Sequence, residues 1–244
     1  MVDEWFAAHK AHMNSTHNFS ADGSKEPHAL CYYVSKVAQP GFQGSAFEGP
    51  HSSNHTLYAL TETYRSREGC VAHTDAGSKQ PQLHSRDVCA KYGMSIMMAA
   101  PVMYTHSAPL LDCLQRVKPG CVSFDMHLLV PAGPDEAKVD AWFARHCDMM
   151  RATHSASSGP EPCVLFYTVS KTPEPEQQNF FACQTQGTTG KIQYCLSEVY
   201  ASREGMAAHF ETARKHAELF AEYERIREAF CTCAVADAVV LQTM

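Results

Sequence analysis

In the second half of this chain the apolar positions switch between two periods. From Val122 to Val130 they alternate with other residues, the pattern of a strand with one buried face. Pro131-Ala132-Gly133-Pro134 stops the run, and Asp135 is placed to cap a helix. From Glu136 to about Ala152, Val139, Trp142, Phe143, His146 and Met150 recur at three- and four-residue spacings, which predicts a helix with one apolar face. Ser155 to Pro162 reads as a loop, Val164 to Lys171 as a strand, and Ile192 to Tyr200 as the next strand after a long connection ending at Gly190. Ser202 caps a second helix over Arg203 to about Phe230, predicted to be continuous from Phe210 to Glu228. The β-branched run Thr232 to Leu241 closes the unit. The order is βαββαβ, the split βαβ arrangement of the ferredoxin-like fold, with two helices on one face of a four-stranded antiparallel sheet.

The first half repeats this pattern and much of its sequence. Val2-Asp3-x-Trp5-Phe6-Ala7-x-His9 returns as Val139-Asp140-x-Trp142-Phe143-Ala144-x-His146, and Thr16-His17 returns as Thr153-His154. Tyr32-x-Val34-Ser35-Lys36 returns as Tyr167-x-Val169-Ser170-Lys171. Tyr58-x-Leu60-x-Glu62-x-Tyr64-x-Ser66-Arg67-Glu68-Gly69-x-x-Ala72-His73 returns, with every fixed letter, from Tyr194 to His209. The unit exceeds a solenoid repeat and matches the size of a small domain. The expectation is an α+β protein of two tandem ferredoxin-like units, 1–106 and 121–244, joined by 107–120, whose sheets face one another in an intramolecular pseudo-dimeric barrel.

The first copy begins with its Trp/Phe/His helix, so the strand matching Val122 to Val130 is missing. A lost N-terminal segment, a smaller sheet or a strand lent by a partner would each account for this, and the open sheet edge suits a homodimer. Strands are expected at Ala29 to Val37, Leu57 to Tyr64 and near Met94 to Tyr104. Gly77 and Pro81 predict a short or broken second helix.

A net charge of −6 supplies no basic stripe for phosphates, which argues against nucleic acid as the main partner and against an anionic membrane surface. Eleven cysteines sit largely in apolar runs, which reads as buried free thiols in a reducing compartment. No signal peptide precedes the sequons at Asn14, Asn18 and Asn54, and no apolar run has the roughly 18 residues of a membrane helix. The expected location is the cytoplasm, or an organelle if a targeting segment has been removed.

The segment Glu-x-Tyr-x-Ser-Arg-Glu-Gly-x-x-Ala-His, between third strand and second helix, resembles the antibiotic biosynthesis monooxygenase family. There a strand carrying Glu and an aromatic residue leads into a helix with a His about one turn in. The likeness covers most of the second copy and about three quarters of the first. It implies a dimeric α+β barrel, and oxygenation of quinol- or polyketide-like substrates with molecular oxygen and neither metal nor flavin. The family also holds haem-degrading, isomerase-like and inactive members, so fold alone does not fix function. The haem-degrading branch carries an Asn on its first strand and a Trp near the pocket. Here that strand reads Val122-Ser123-Phe124-Asp125-Met126-His127-Leu128 and the tryptophans, Trp5 and Trp142, lie on first helices.

The family position makes His209 and His73 the candidate bases, since a histidine can take a proton from a quinol whose anion then reacts with oxygen. The alternative is a helix histidine bonded to a backbone carbonyl. Glu198 and Glu62 share strand faces with Tyr194, Tyr200, Tyr58 and Tyr64, and a carboxylate among tyrosine rings has its pKa raised. Pairing with Arg203 and Arg67 is the competing reading. If one copy works it is the second, with its full frame: His209 as base, Tyr200 anchoring a substrate oxygen, Glu198 beside them. Tyr167, Phe180, Phe181, His146, Trp142 and Tyr64 would enclose a small apolar or aromatic substrate. The long connections, with Phe42 and Phe47 in one copy and Phe180 and Phe181 in the other, suit a lid or an extra hairpin. Five histidines on or after the first helices (His9, His12, His17, His146 and His154) form no HExxH or Cys/His ligand spacing. Structural histidines and no metal or other cofactor are expected. Cys231-x-Cys233 and Met94, Met97, Met98 and Met103 read as core.

Overall fold

In the computed structural model, which describes residues 2–19, 27–38, 56–80, 83, 100–106, 116–156, 162–179 and 184–243, helices and strands alternate much as the periodicities require. The first half holds α1 (Val2–Thr16), β1 (Ala29–Ala38), β2 (Thr56–Tyr64), α2 (Arg67–Ser78) and β3 (Val102–Thr105). The second holds β4 (Val122–Pro131), α3 (Pro134–Thr153), β5 (Val164–Pro173), β6 (Gln177–Asn179), β7 (Gln184–Gln186), β8 (Lys191–Tyr200), α4 (Arg203–Lys215), α5 (Ala217–Phe230) and β9 (Cys231–Thr243).

Seven strands make one antiparallel sheet in the order β2-β1-β9-β4-β8-β5-β3. The halves therefore join edge to edge. The last strand of each copy pairs with the second strand of the other: β9 with β1 and β3 with β5. This corrects the expectation of two separate sheets stacked face to face. The sheet nevertheless curls until distant strands meet on its inner face. Tyr33 of β1 packs edge-on to Phe166 of β5, centroids 5.8 Å apart, although three strands lie between them. Tyr33 and Thr61 both donate hydroxyl hydrogen bonds to Asp125 of β4, at 2.9 and 3.3 Å.

Period-two alternation sorts the strand residues. Phe124, Met126 and Leu128 of β4, with Tyr194, Leu196 and Tyr200 of β8, face the helices and pack on Trp142, Phe143 and Met206. Ser123 and Asp125 face inward, with Ser123 donating to or accepting from Ser35 at 2.8 Å. Several repeated letters have one explanation. Lys171 and Tyr194 both reach the Asp140 carboxylate, at 2.7 and 2.8 Å, fixing α3 to β5 and β8. Lys36 and Tyr58 reach Asp3 in the same way, at 3.0 and 2.9 Å.

The helix starts are local. Ser66 and Ser202 accept hydrogen bonds from the Gly69 and Gly205 amides, caps that each contribute about 1 kcal/mol. The first helix of the second half begins instead at Gly133, not at Asp135. Its φ of +105° suits glycine, and its amide donates to the Glu136 carboxylate at 3.1 Å. α2 stops at Ser78, ahead of Pro81, as Gly77 and Pro81 predict. The helix after Ser202 is not continuous: it breaks at His216 (φ −91°, ψ 66°) into α4 and α5. The break seats the first turn of α5 on α3, where the Trp142 indole donates to the Leu219 carbonyl at 3.1 Å. The long connection between β5 and β8 contains the hairpin β6–β7. Phe180 and Phe181, like Phe42 and Phe47, lie outside the described residues, as do Met94, Met97 and Met98. Every described cysteine is a free thiol; Cys231 packs against the main core.

Candidate functional site

Glu198 projects from β8 toward the helices and is fully buried. Alternation along β8 puts Tyr200 on the same face, and its hydroxyl donates to Glu198 Oε2 at 2.7 Å. Two imidazoles close on the carboxylate. His146 of α3 brings Nε2 to 3.9 Å from Oε1, and His209 of α4 brings Nε2 to 4.0 Å from Oε2. Both distances are too long for hydrogen bonds.

A chain of hydrogen bonds sets the proton on His209. Thr153 gives its one hydroxyl hydrogen to the Met149 carbonyl at 2.7 Å, so its oxygen can only accept from His154 Nδ1, at 2.8 Å. His154 Nε2 is then bare and accepts from His209 Nδ1 at 2.9 Å. It follows that His209 Nε2 carries a lone pair, aimed at Glu198. His146 is oriented by the Tyr167 hydroxyl, 3.0 Å from its Nδ1, and by stacking on Trp142 at 4.9 Å. Burial drives His209 well below the usual imidazole range and His146 down to about 3. Burial also lifts Glu198 to about 8, against the lowering effect of the Tyr200 hydrogen bond.

The cluster borders an internal cavity of about 20 Å³ between sheet and helices. Trp142, His146, Glu198, His209, Phe210 and Tyr223 line it, with Leu219 and Phe220 at the start of α5. A space of this size holds about one water-sized molecule. Two buried polar atoms of lining residues have no hydrogen-bond partner among the described residues: Glu198 Oε1 and the Tyr223 hydroxyl.

Of the residues predicted for the site, the structure brings together His209, Tyr200, Glu198, His146, Trp142 and Tyr167. His73 and Tyr64 stand in the corresponding place of the first copy. Arg203 does not pair with Glu198: it forms a bidentate ion pair with Asp237, a buried residue at φ +56°, on the far side of the helix start. Sequence reasoning missed Tyr223, Leu219 and Phe220, which reach the cavity because of the break at His216. The run they belong to holds neither Gly nor Pro, so it carries no signal of that break. His154, a structural histidine by its sequence spacing, fixes the tautomer of His209.

The first copy rebuilds the constellation around Glu62. Tyr64 donates to Glu62 Oε2 at 2.9 Å, and His9 Nε2 and His73 Nε2 each lie 3.5 Å from a carboxylate oxygen. Thr16 donates to the His12 carbonyl at 2.8 Å and accepts from His17, which in turn accepts from His73 Nδ1 at 2.9 Å. His73 Nε2 is therefore bare too.

No family model matches the chain, and no curated protein matches it. Among solved structures it is similar to a Fusobacterium nucleatum protein provisionally named a monooxygenase, at 14% identity and a TM-score of 0.44, over 97% of this chain and 86% of that one. Among the described residues, no helix is long and apolar enough to cross a membrane.

Proposed function

We propose that the chain is a small-molecule oxidoreductase, a monooxygenase that works at the second-copy cluster without metal or flavin there. Its substrate would be a quinol, a phenol or a similarly acidic carbon compound, and its co-substrate molecular oxygen. One observation carries this reading: a buried carboxylate poised near pH 8, with one oxygen unpartnered, faces a bare imidazole nitrogen at the wall of an apolar cavity. A base of that strength can take a weakly acidic proton near neutral pH. Glu198, flanked by His209, accepts the proton, and Tyr200 supports the carboxylate. The Tyr223 hydroxyl is free to hold the substrate oxygen. The substrate anion gives its electron pair to dioxygen, the peroxide anion takes back the proton held by Glu198, and the hydroperoxide loses water, with the remaining hydrogen of that carbon, to leave a carbonyl. His146, Trp142 and Tyr167 wall the site, with Tyr64 and His73 in the sister site.

The cavity as it stands admits dioxygen but not a ring, so substrate entry requires Leu219 and Phe220 to move with the first turn of α5. The same tight filling favours a second reading, a ligand-binding or stress-response protein of this fold. A lyase or isomerase would use the same base without oxygen. An oxygen-uptake screen over quinols and enolisable carbonyl compounds, repeated with Glu198→Gln and His209→Ala, separates the three. Uptake lost in both variants supports the oxygenase, product without uptake supports the lyase or isomerase, and binding without turnover supports the ligand-binding protein.

In this reading 1–106 and 121–244 are tandem ferredoxin-like units joined by 107–120. They share one pseudo-dimeric α+β barrel that lacks the first unit's opening strand. β2 and β3 are the sheet edges, and Leu60 and Met103 are exposed on them, which suits strand pairing in a homodimer. Nucleic acid and membranes are not partners in this proposal, and the cytoplasm is its location.

A further inference from the structure

The first-copy cluster has features that proton chemistry in the second does not explain. His9 Nε2, His73 Nε2 and a Glu62 oxygen lie within 4.8 Å of one another, and each nitrogen is 3.5 Å from the carboxylate. Ligands bound at about 2.1 Å with tetrahedral angles stand about 3.4 Å apart, so this spacing is that of a coordination polyhedron's edge. His146, Glu198 and His209 converge within the same 4.8 Å, but their nitrogen-to-carboxylate distances of 3.9 and 4.0 Å are wider than a polyhedron's edge.

Orientation agrees with the spacing. The His73 lone pair, fixed by the Thr16–His17 chain, points at the Glu62 carboxyl, so a nitrogen and an oxygen donor face the same space. His9 is held at Nδ1 by the Tyr32 hydroxyl, 3.4 Å away, and by stacking on Trp5. Such outer contacts on Nδ1 are what metal-ligating histidines use to present Nε2. Glu62 Oε1 is buried without a partner, as is His12 Nε2, one helical turn from His9 and with its ring 6.5 Å from that of His73. The second copy has Met149 where the first has His12. Access differs as well: the Glu62 side chain keeps 16% of its surface exposed on an edge strand, against 1% for Glu198.

We propose that His9, His73 and Glu62 bind one divalent transition-metal ion, with a fourth position left for water and His12 beside it. The set of two histidines and one carboxylate suits zinc, and equally cobalt or ferrous iron. This goes beyond the oxidoreductase reading and does not rest on it.

The test is titration of chelator-treated, full-length protein with Co(II) alone, followed by absorption spectroscopy and calorimetry. One equivalent per chain should bind, with ligand-field bands of a four- or five-coordinate site and no thiolate charge transfer. Glu62→Gln, which keeps the side-chain shape, and His73→Ala should weaken binding at least a hundredfold. His17→Ala should weaken it about ten- to a hundredfold through loss of orientation. Glu198→Gln and His209→Ala should leave it unchanged, and near-ultraviolet circular dichroism shows which variants are folded. No binding, binding that survives in folded Glu62→Gln, loss in His209→Ala, or thiolate charge-transfer bands would each overturn the proposal.

Discussion

Glu62 and Glu198 occupy the same strand position, accept from the same tyrosine and face the same pair of histidines, yet their surroundings differ. Glu198 lies under α5, whose Leu219, Phe220 and Tyr223 close an apolar cavity over it. No counterpart of α5 covers Glu62 among the described residues, since α2 ends at Ser78. The indole of Trp142 is pinned to the Leu219 carbonyl, whereas that of Trp5 has no partner among the described residues. A duplicated set of letters thus gives two environments. Burial lifts both carboxyls, Glu198 to about 8, and what separates the two sites among the described residues is the apolar cover over Glu198 and the histidine-rich, slightly more exposed wall around Glu62.

The largest expected effect sets the two halves against each other. Glu198→Gln and His209→Ala should lower oxygen consumption with a screened substrate by about a hundredfold to ten-thousandfold, the usual cost of a positioned base. Glu62→Gln and His73→Ala should leave it within about threefold. The opposite ranking would place the chemistry in the first half.

Stability should rank the halves the same way. Phe143 is wholly buried in the main core, so Phe143→Ala should cost about 3–5 kcal/mol in urea unfolding. Phe6, its counterpart in a smaller cluster, should cost no more than the low end of that range. Equal losses would show that the first half is as tightly packed as the second.

Protonation sharpens the contrast further. Burial holds His127 and His154 at about 4 and His146 at about 3, all below their ordinary 6.5. Between pH 6.5 and 4 the unfolded chain binds more protons, so stability falls as pH falls through that window, by about 1.4 kcal/mol per pH unit for each histidine. Glu198 has the opposite sign. Its folded value near 8 exceeds the ordinary 4.5, so its contribution is full below 4.5 and is lost as pH rises toward 8. The windows overlap between pH 4.5 and 6.5, where three histidines outweigh one glutamate, so denaturant midpoints measured across pH should peak near pH 6.5, and Glu198→Gln should flatten the alkaline side. A midpoint that climbs steadily from pH 6.5 to 8 would contradict this.

Much of this was legible in the sequence, because period-two alternation and helix spacing are local. They located β1, β2, β4, β5, β8 and β9, and they put Glu198 on one face with Tyr200. The caps at Ser66 and Ser202 and the stop before Pro81 follow from single residues. What escaped depended on contacts far apart in the chain. The edge pairing of β9 with β1 depends on curl, the helix break at His216 on the Trp142–Leu219 contact, and the partner of Arg203 on the bend at Asp237. The histidines were visible as a repeat but not as clusters. His9 and His73, or His146 and His209, lie more than sixty positions apart in sequence, and no ligand spacing announces them.

Tyr200→Phe gives the smallest predicted effect: without its hydrogen bond to the carboxylate, the Glu198 pKa should rise by about one unit, the worth of a bond to a charged group. That shift is read in the experiment that bears most directly on the whole account, a carbon-13 NMR titration of the glutamate side-chain carboxyls, with Glu198→Gln assigning the resonance. One carboxyl should titrate near pH 8 and vanish in that variant. A Glu198 carboxyl that titrates between about 4 and 5, with the other glutamates, would contradict the buried base on which the proposed chemistry depends.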